Sequence, residues 1–149
     1  MKNAYEQYKK IDLSTAPQTK LVVMMYEGAI KFLENASNAL DKKFGLEEAH
    51  NNISKAQDVI SELASSLNKE AGDISERLDA IYSYMNRRLT EANISKKKEP
   101  ITEVIKYLKE LTLAWKEAEA NLGKNNSNNQ KAKKDSNDDN TITKLNISG

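Results

Sequence analysis

Cysteine is absent from the 149-residue chain. That removes disulfides and thiolate metal ligands, and gives no reason to expect an oxidising compartment. Glycine and proline are scarce, at 5 and 2 residues, so little interrupts helix formation. The longest apolar run, Leu21 to Tyr26 (LVVMMY), is far too short to cross a bilayer. The opening MKNAYEQYKKIDL has no apolar core of the signal-peptide kind. A cytoplasmic protein without membrane insertion is expected. A net charge of +1 supplies no basic field for a nucleic-acid partner.

What is present is helical periodicity, repeated four times, in a chain long enough for one domain with a real core. The first pattern runs from about Pro17 to Leu40. Ser14 or Thr15 can cap it, and Pro17 suits a first turn, where a missing N–H costs little. Leu21, Met25, Gly28, Phe32, Ala36 and Ala39 form one stripe; Val22, Tyr26, Ala29, Leu33 and Leu40 form an adjoining one. So wide a face suits a helix that touches two neighbours. The second pattern, Leu46 to Leu67, carries Ile53, Ala56, Ile60, Leu63 and Leu67, with Val59 beside them. The third, Asp73 to Asn93, places Ile74, Leu78, Ile81, Met85, Leu89 and Ala92 in register. SKKKEP then turns the chain at Pro100. The fourth carries Ile101, Val104, Leu108, Leu111, Trp115, Ala118 and Leu122. Long helices joined by short loops predict an all-α, antiparallel up-down four-helix bundle over residues 15–122.

The flanks differ from the bundle. Residues 1–14 carry Tyr5, Tyr8, Ile11 and Leu13, too apolar for a purely solvated tail. From Gly123 the chain turns Asn- and Lys-rich, and residues 123–149 are expected to be disordered, because they cannot bury enough surface to offset their ordering entropy. The late stretch TITKLNI is the one apolar exception, strand-like or able to dock.

Catalysis finds little to work with. The single histidine lies in Glu47-x-x-His50, the spacing used by bundle carboxylate–metal sites, but those need a second such pair and two further carboxylates. Serines have no recognisable histidine partner, and no Gly-rich phosphate loop occurs. No metal, cofactor or catalytic residue is expected. The densest cluster of binding-prone side chains is YSYMNRRLTEAN, residues 82–93. By helical angle Ile81, Met85 and Leu89 face the core. Tyr82 sits at the stripe's edge, its ring inside and its hydroxyl at the rim. Tyr84 and Arg88 share another flank, with Arg87 three residues from Tyr84. That flank is either a ring packed beneath a guanidinium or a surface along which a partner helix lies.

The same stretch resembles the Y-x-Y-M-x-R-R-L-x-x-A-N signature of the flagellar secretion chaperone FliS family. AYEQY at Ala4 to Tyr8, TAPQTKLVVMMYEGAIKFL at Thr15 to Leu33, ISKAQDVISEL at Ile53 to Leu63 and AWKEA at Ala114 to Ala118 resemble further segments of that family, in order. The likeness covers about residues 4–120. It departs in a proline one position early at the first helix and in methionine at Met25, where leucine is more usual. The resemblance implies a non-catalytic cytoplasmic chaperone, a monomer or weak dimer. It would bind the C-terminal segment of flagellin, prevent premature polymerisation, and deliver the client to a component of the flagellar type III export gate. Carried onto this chain, the N-terminal cap would be Tyr5, Tyr8, Ile11 and Leu13, and the client groove would use Val59, Leu63, Ile81, Tyr84 and Arg88. The alternative is a non-catalytic helical adaptor or dimerisation bundle.

Overall fold

Four helices account for most of the computed structural model, which describes residues 16–129. They are α1 (Ala16–Leu40), α2 (Leu46–Ser65), α3 (Asp73–Ser95) and α4 (Glu99–Asn129), with a 3₁₀ turn at Lys69–Ala71 before α3. Each helix packs on the next and α4 closes back onto α1, which is the expected up-down bundle. Among the described residues there is no strand, and no helix is long and apolar enough to cross a membrane. Tyr5, Tyr8, Ile11 and Leu13 lie outside the described residues, as do the candidate caps Ser14 and Thr15.

Local chemistry sets the helix ends. Pro17 and Pro100 each fall in a first turn, where no intrahelical N–H is lost. Between α1 and α2 the backbone closes so tightly on Gly45 that a Cβ there would stand 1.9 Å from the Ala39 carbonyl oxygen. Gly72 enters α3 with φ of 76°, a conformation glycine adopts without strain. α3 ends on Lys96 in the left-handed region, its N–H donating to the Ala92 carbonyl. α4 extends past Leu122 through Gly123 to Asn129, and the rest of the expected tail lies outside the described residues. Propagating an existing helix adds one bond per residue without a new nucleus.

The core follows most of the stripes. α1 buries Val22, Met25, Tyr26, Ala29, Leu33 and Ala36, together with Val23 and Ile30. α2 buries Ile53, Ala56, Val59, Ile60 and Leu63. α3 departs from expectation: it buries Ser75, Leu78, Tyr82, Met85, Leu89 and Ala92, a strict alternation of three and four. Ile81, expected in the core, is 38% exposed. Tyr82, expected with its hydroxyl at the rim, is 1% exposed. The reason lies across the bundle: the Tyr82 hydroxyl meets the Tyr26 hydroxyl at 2.6 Å, so this polar tip can be buried at little cost. The Tyr26 ring also sits edge-on to Trp115 at 6.4 Å between centroids. α4 makes a similar adjustment. Thr112 is buried, its hydroxyl donating to the Leu108 carbonyl at 2.7 Å, and Leu111 turns to a partly buried position at the side.

Candidate functional site

The rotation of α3 that takes Tyr82 inward carries Ile81 outward, to the seam with α4. There Ala80, Ile81 and Tyr84 of α3 face Tyr107, Glu110 and Leu111 of α4 across an open groove of about 560 Å³. Five of the six lining residues offer hydrocarbon or ring surface, and Glu110 provides the one charge. The groove exists because each helix has two apolar positions side by side: one set (Tyr82 and Met85; Leu108 and Trp115) fills the core, and the other (Ile81; Leu111) is left at the seam.

A polar network closes one end. Glu103 gathers it: one carboxylate oxygen accepts from Arg88 Nε at 2.6 Å, and the other from the hydroxyls of Tyr84 at 2.8 Å and Tyr107 at 3.3 Å. Arg88 also bonds Glu91 on its own helix. The Tyr84 and Tyr107 rings meet edge-on at 6.2 Å, and the guanidinium of Arg87 lies 5.9 Å from the Tyr84 centroid. The electrostatics follow from this geometry. Arg88 first, then the Tyr84 hydroxyl, holds Glu103 below the usual carboxylate range. Hydrogen bonding to Glu103 raises Tyr84 and Arg88, and the negative charge of Glu103 raises Tyr107. The network fixes two aromatic rings at the mouth of an apolar channel.

The five residues expected to line a groove are thus divided. Ile81 and Tyr84 form one wall of it, and Arg88 anchors the network at its end. Val59 and Leu63 do not join them; they lie in the core of α2, at 5% and 0% exposure. The α2–α3 seam is instead stitched by polar bonds. Gln57 Nε2 donates to the Asn86 carbonyl at 3.1 Å and to Thr90 Oγ1 at 3.0 Å, and Asn86 Nδ2 donates to Ser61 Oγ at 3.0 Å. Glu103, Tyr107 and Leu111 join Ile81, Tyr84 and Arg88 at the seam without being marked by the sequence. Leu111 was visible as an apolar position, but nothing local to α4 marks Glu103 as the partner of three side chains. His50, the lone histidine, brings Nδ1 to 3.1 Å from Asn93 Oδ1, joining the start of α2 to the end of α3.

The profile of the family described as "Flagellar protein FliS" matches residues 1–122. Three similar proteins bear the name "Flagellar secretion chaperone FliS". That of Bacillus subtilis (strain 168) is 35% identical over 118 residues, covering 79% of this chain and 87% of its own length. That of Vibrio cholerae is 32% identical, over 77% of this chain and 88% of the relative. That of Escherichia coli (strain K12) is 33% identical, over 70% and 77%.

Proposed function

This chain belongs to the FliS family of flagellar secretion chaperones, and from that premise we propose that it holds the C-terminal segment of flagellin before export. The α3–α4 groove is the observation that carries the reading. A flagellin terminus that stays unfolded until assembly needs a mostly apolar channel into which an amphipathic segment can lay its apolar face. Ile81, Tyr84, Tyr107 and Leu111 supply that channel, and Tyr and Arg side chains of the kind found at its end dominate binding energy in many interfaces. The chaperone acts by occupancy, without catalysis: it covers the client's polymerising surface in the cytoplasm and passes it to a component of the flagellar type III export gate. The bundle domain, residues 15–122, does the holding. The N-terminal segment of residues 1–14, with Tyr5, Tyr8, Ile11 and Leu13, is a displaceable cover for part of the client surface. Ile81, Tyr84 and Arg88 touch the client, while Val59 and Leu63 are buried in the core.

The test mixes the full chain with the C-terminal segment of its own organism's flagellin and measures size and mass. A one-to-one complex that is weakened by Ile81→Asp is expected. Concentration-dependent dimers that take up no flagellin would replace this reading with that of an adaptor or dimerisation bundle.

A further inference from the structure

We propose that the chain's own C-terminal stretch, Thr141 to Ile147, lies in the α3–α4 groove when no other segment occupies it. The family profile matches residues 1–122, so the residues after it lie outside the matched region. Beyond Asn129 the sequence is QKAKKDSNDDNTITKLNISG. Its large apolar side chains are confined to one place, Ile142, Leu145 and Ile147, and a single cation, Lys144, lies among them. The groove is their complement: Ala80, Ile81, Tyr84, Tyr107 and Leu111 offer apolar surface, and Glu110 offers one anion. Ile81, at 38% exposure, is a large apolar wall residue left exposed.

The reach is sufficient. At 1.5 Å per residue, Leu111 lies about 27 Å back along α4 from Asn129. Residues 130–141 can span about 40 Å at 3.3–3.6 Å per residue. That linker is polar and charged throughout, so it needs no pocket of its own. Tethering makes a weak contact enough: a tether of about a dozen residues gives an effective concentration on the order of 1 mM, so a docking constant of about that size fills the groove half the time. Where the groove is the client surface, a consequence that rests on the proposed function, an arriving client displaces the tail.

The lack of cysteine gives a direct test on the full chain. Ser148→Cys carries a nitroxide at a unique site, and its paramagnetic broadening of backbone amides is read by NMR without flagellin present. Several-fold signal loss is expected at Ala80, Ile81, Tyr84, Tyr107 and Leu111, and none at Phe32 and Lys55, which meet on the α1–α2 side. Ile142→Asp with Leu145→Asp, both outside the bundle, should restore the groove signals. Equal broadening on both sides, or broadening unmoved by the double change, overturns the proposal. So does broadening of the groove from a label at Asn3→Cys but not from the tail, which assigns it to the N-terminal segment. Broadening only between labelled and unlabelled copies also overturns it, by assigning the groove to a second chain. Flagellin binding plays no part in these outcomes, so they stand or fall apart from the proposed function.

Discussion

The bundle holds two tyrosine pairs that face opposite problems. Tyr26 and Tyr82 meet in the interior, hydroxyl to hydroxyl, against Trp115; Tyr84 and Tyr107 meet at the α3–α4 seam, with hydroxyls on the Glu103 carboxylate, and both line an open groove. Tyr82 and Tyr84 are two residues apart on one helix. Burial removes water from the first pair, so its polar tips must satisfy one another and its rings add directly to stability. The second pair keeps water on one side. Its hydroxyls are tied to charged groups, which fixes the rings in place while leaving their apolar faces available. One helix thus carries a tyrosine locked in the core and a tyrosine that lines an open groove, separated by roughly 200° of helical rotation.

The largest expected effect falls on the interior cluster. Trp115→Ala removes a ring that is 3% exposed and packed on Tyr26, and truncating a buried aromatic costs about 3–5 kcal/mol. The protein should become largely molten or insoluble, read by the loss of a cooperative unfolding transition. A midpoint equal to wild type would erase the distinction between the two clusters. On the seam side, Tyr84→Ala with Arg88→Ala should spare the fold and weaken flagellin binding more than tenfold, about 1.4 kcal/mol. Thermal unfolding should move by only a few degrees. Calorimetric titration and melting of the same preparation would check both halves; collapse of the melt with binding merely following it would make the seam a structural element too.

The sequence made the α2 stripe nearly complete because its core positions Ile53, Ala56, Ile60 and Leu63 are apolar. It misplaced the α3 stripe because Ile81 is apolar and Tyr82 is amphipathic, so local character favoured the wrong neighbour. Which of the two is buried depends on Tyr26, 56 residues earlier, and helical angle carries no such information. The same limit hid Glu103, whose partners Tyr84 and Arg88 lie on a different helix. It also split the expected site: Val59 and Leu63 share an apolar face with the core, and periodicity does not distinguish a wall that is covered by a neighbouring helix from one that is not. Tyr84 and Arg88 were legible because they fall off the core stripe while being of binding-prone type.

A smaller effect isolates the interior hydroxyl pair. Tyr82→Phe keeps the ring and removes one hydroxyl, a change of about 0.5–1.5 kcal/mol for a hydrogen bond of this kind. Its signature is in alkali. Burial first, and then the neighbouring Tyr26, raises the Tyr82 ionisation well above the ordinary 10.0. A group whose folded value is raised contributes stability that is full below the unfolded value and is lost as pH rises through the folded one. Denaturant unfolding of wild type should therefore weaken as pH climbs past 10.0, and the Phe variant should weaken less. Parallel losses in the two proteins would mean that the hydroxyl is not the buried titrating group.

The smallest effect belongs to the seam and has the opposite sign. Glu103 is held below the ordinary carboxylate value of 4.5 by Arg88 first and then by Tyr84, so its contribution is full above 4.5 and is lost as pH falls through the depressed folded value. Its side chain is 28% exposed, and water weakens such pairs, so Glu103→Gln should barely move the neutral-pH melt. Acid titration separates the two proteins: wild type should lose stability more steeply than the Gln variant below 4.5. Binding should respond where stability does not. With the carboxylate replaced by an amide, Arg88 keeps Glu91 but loses its charged partner across the seam, and Tyr84 is less firmly held, so flagellin affinity should fall by less than in the double alanine variant while the neutral melt stays put. If the Gln variant matches wild type both in acid and in affinity, the network merely decorates the groove's end, and Tyr84 is positioned by ring packing on Tyr107 alone.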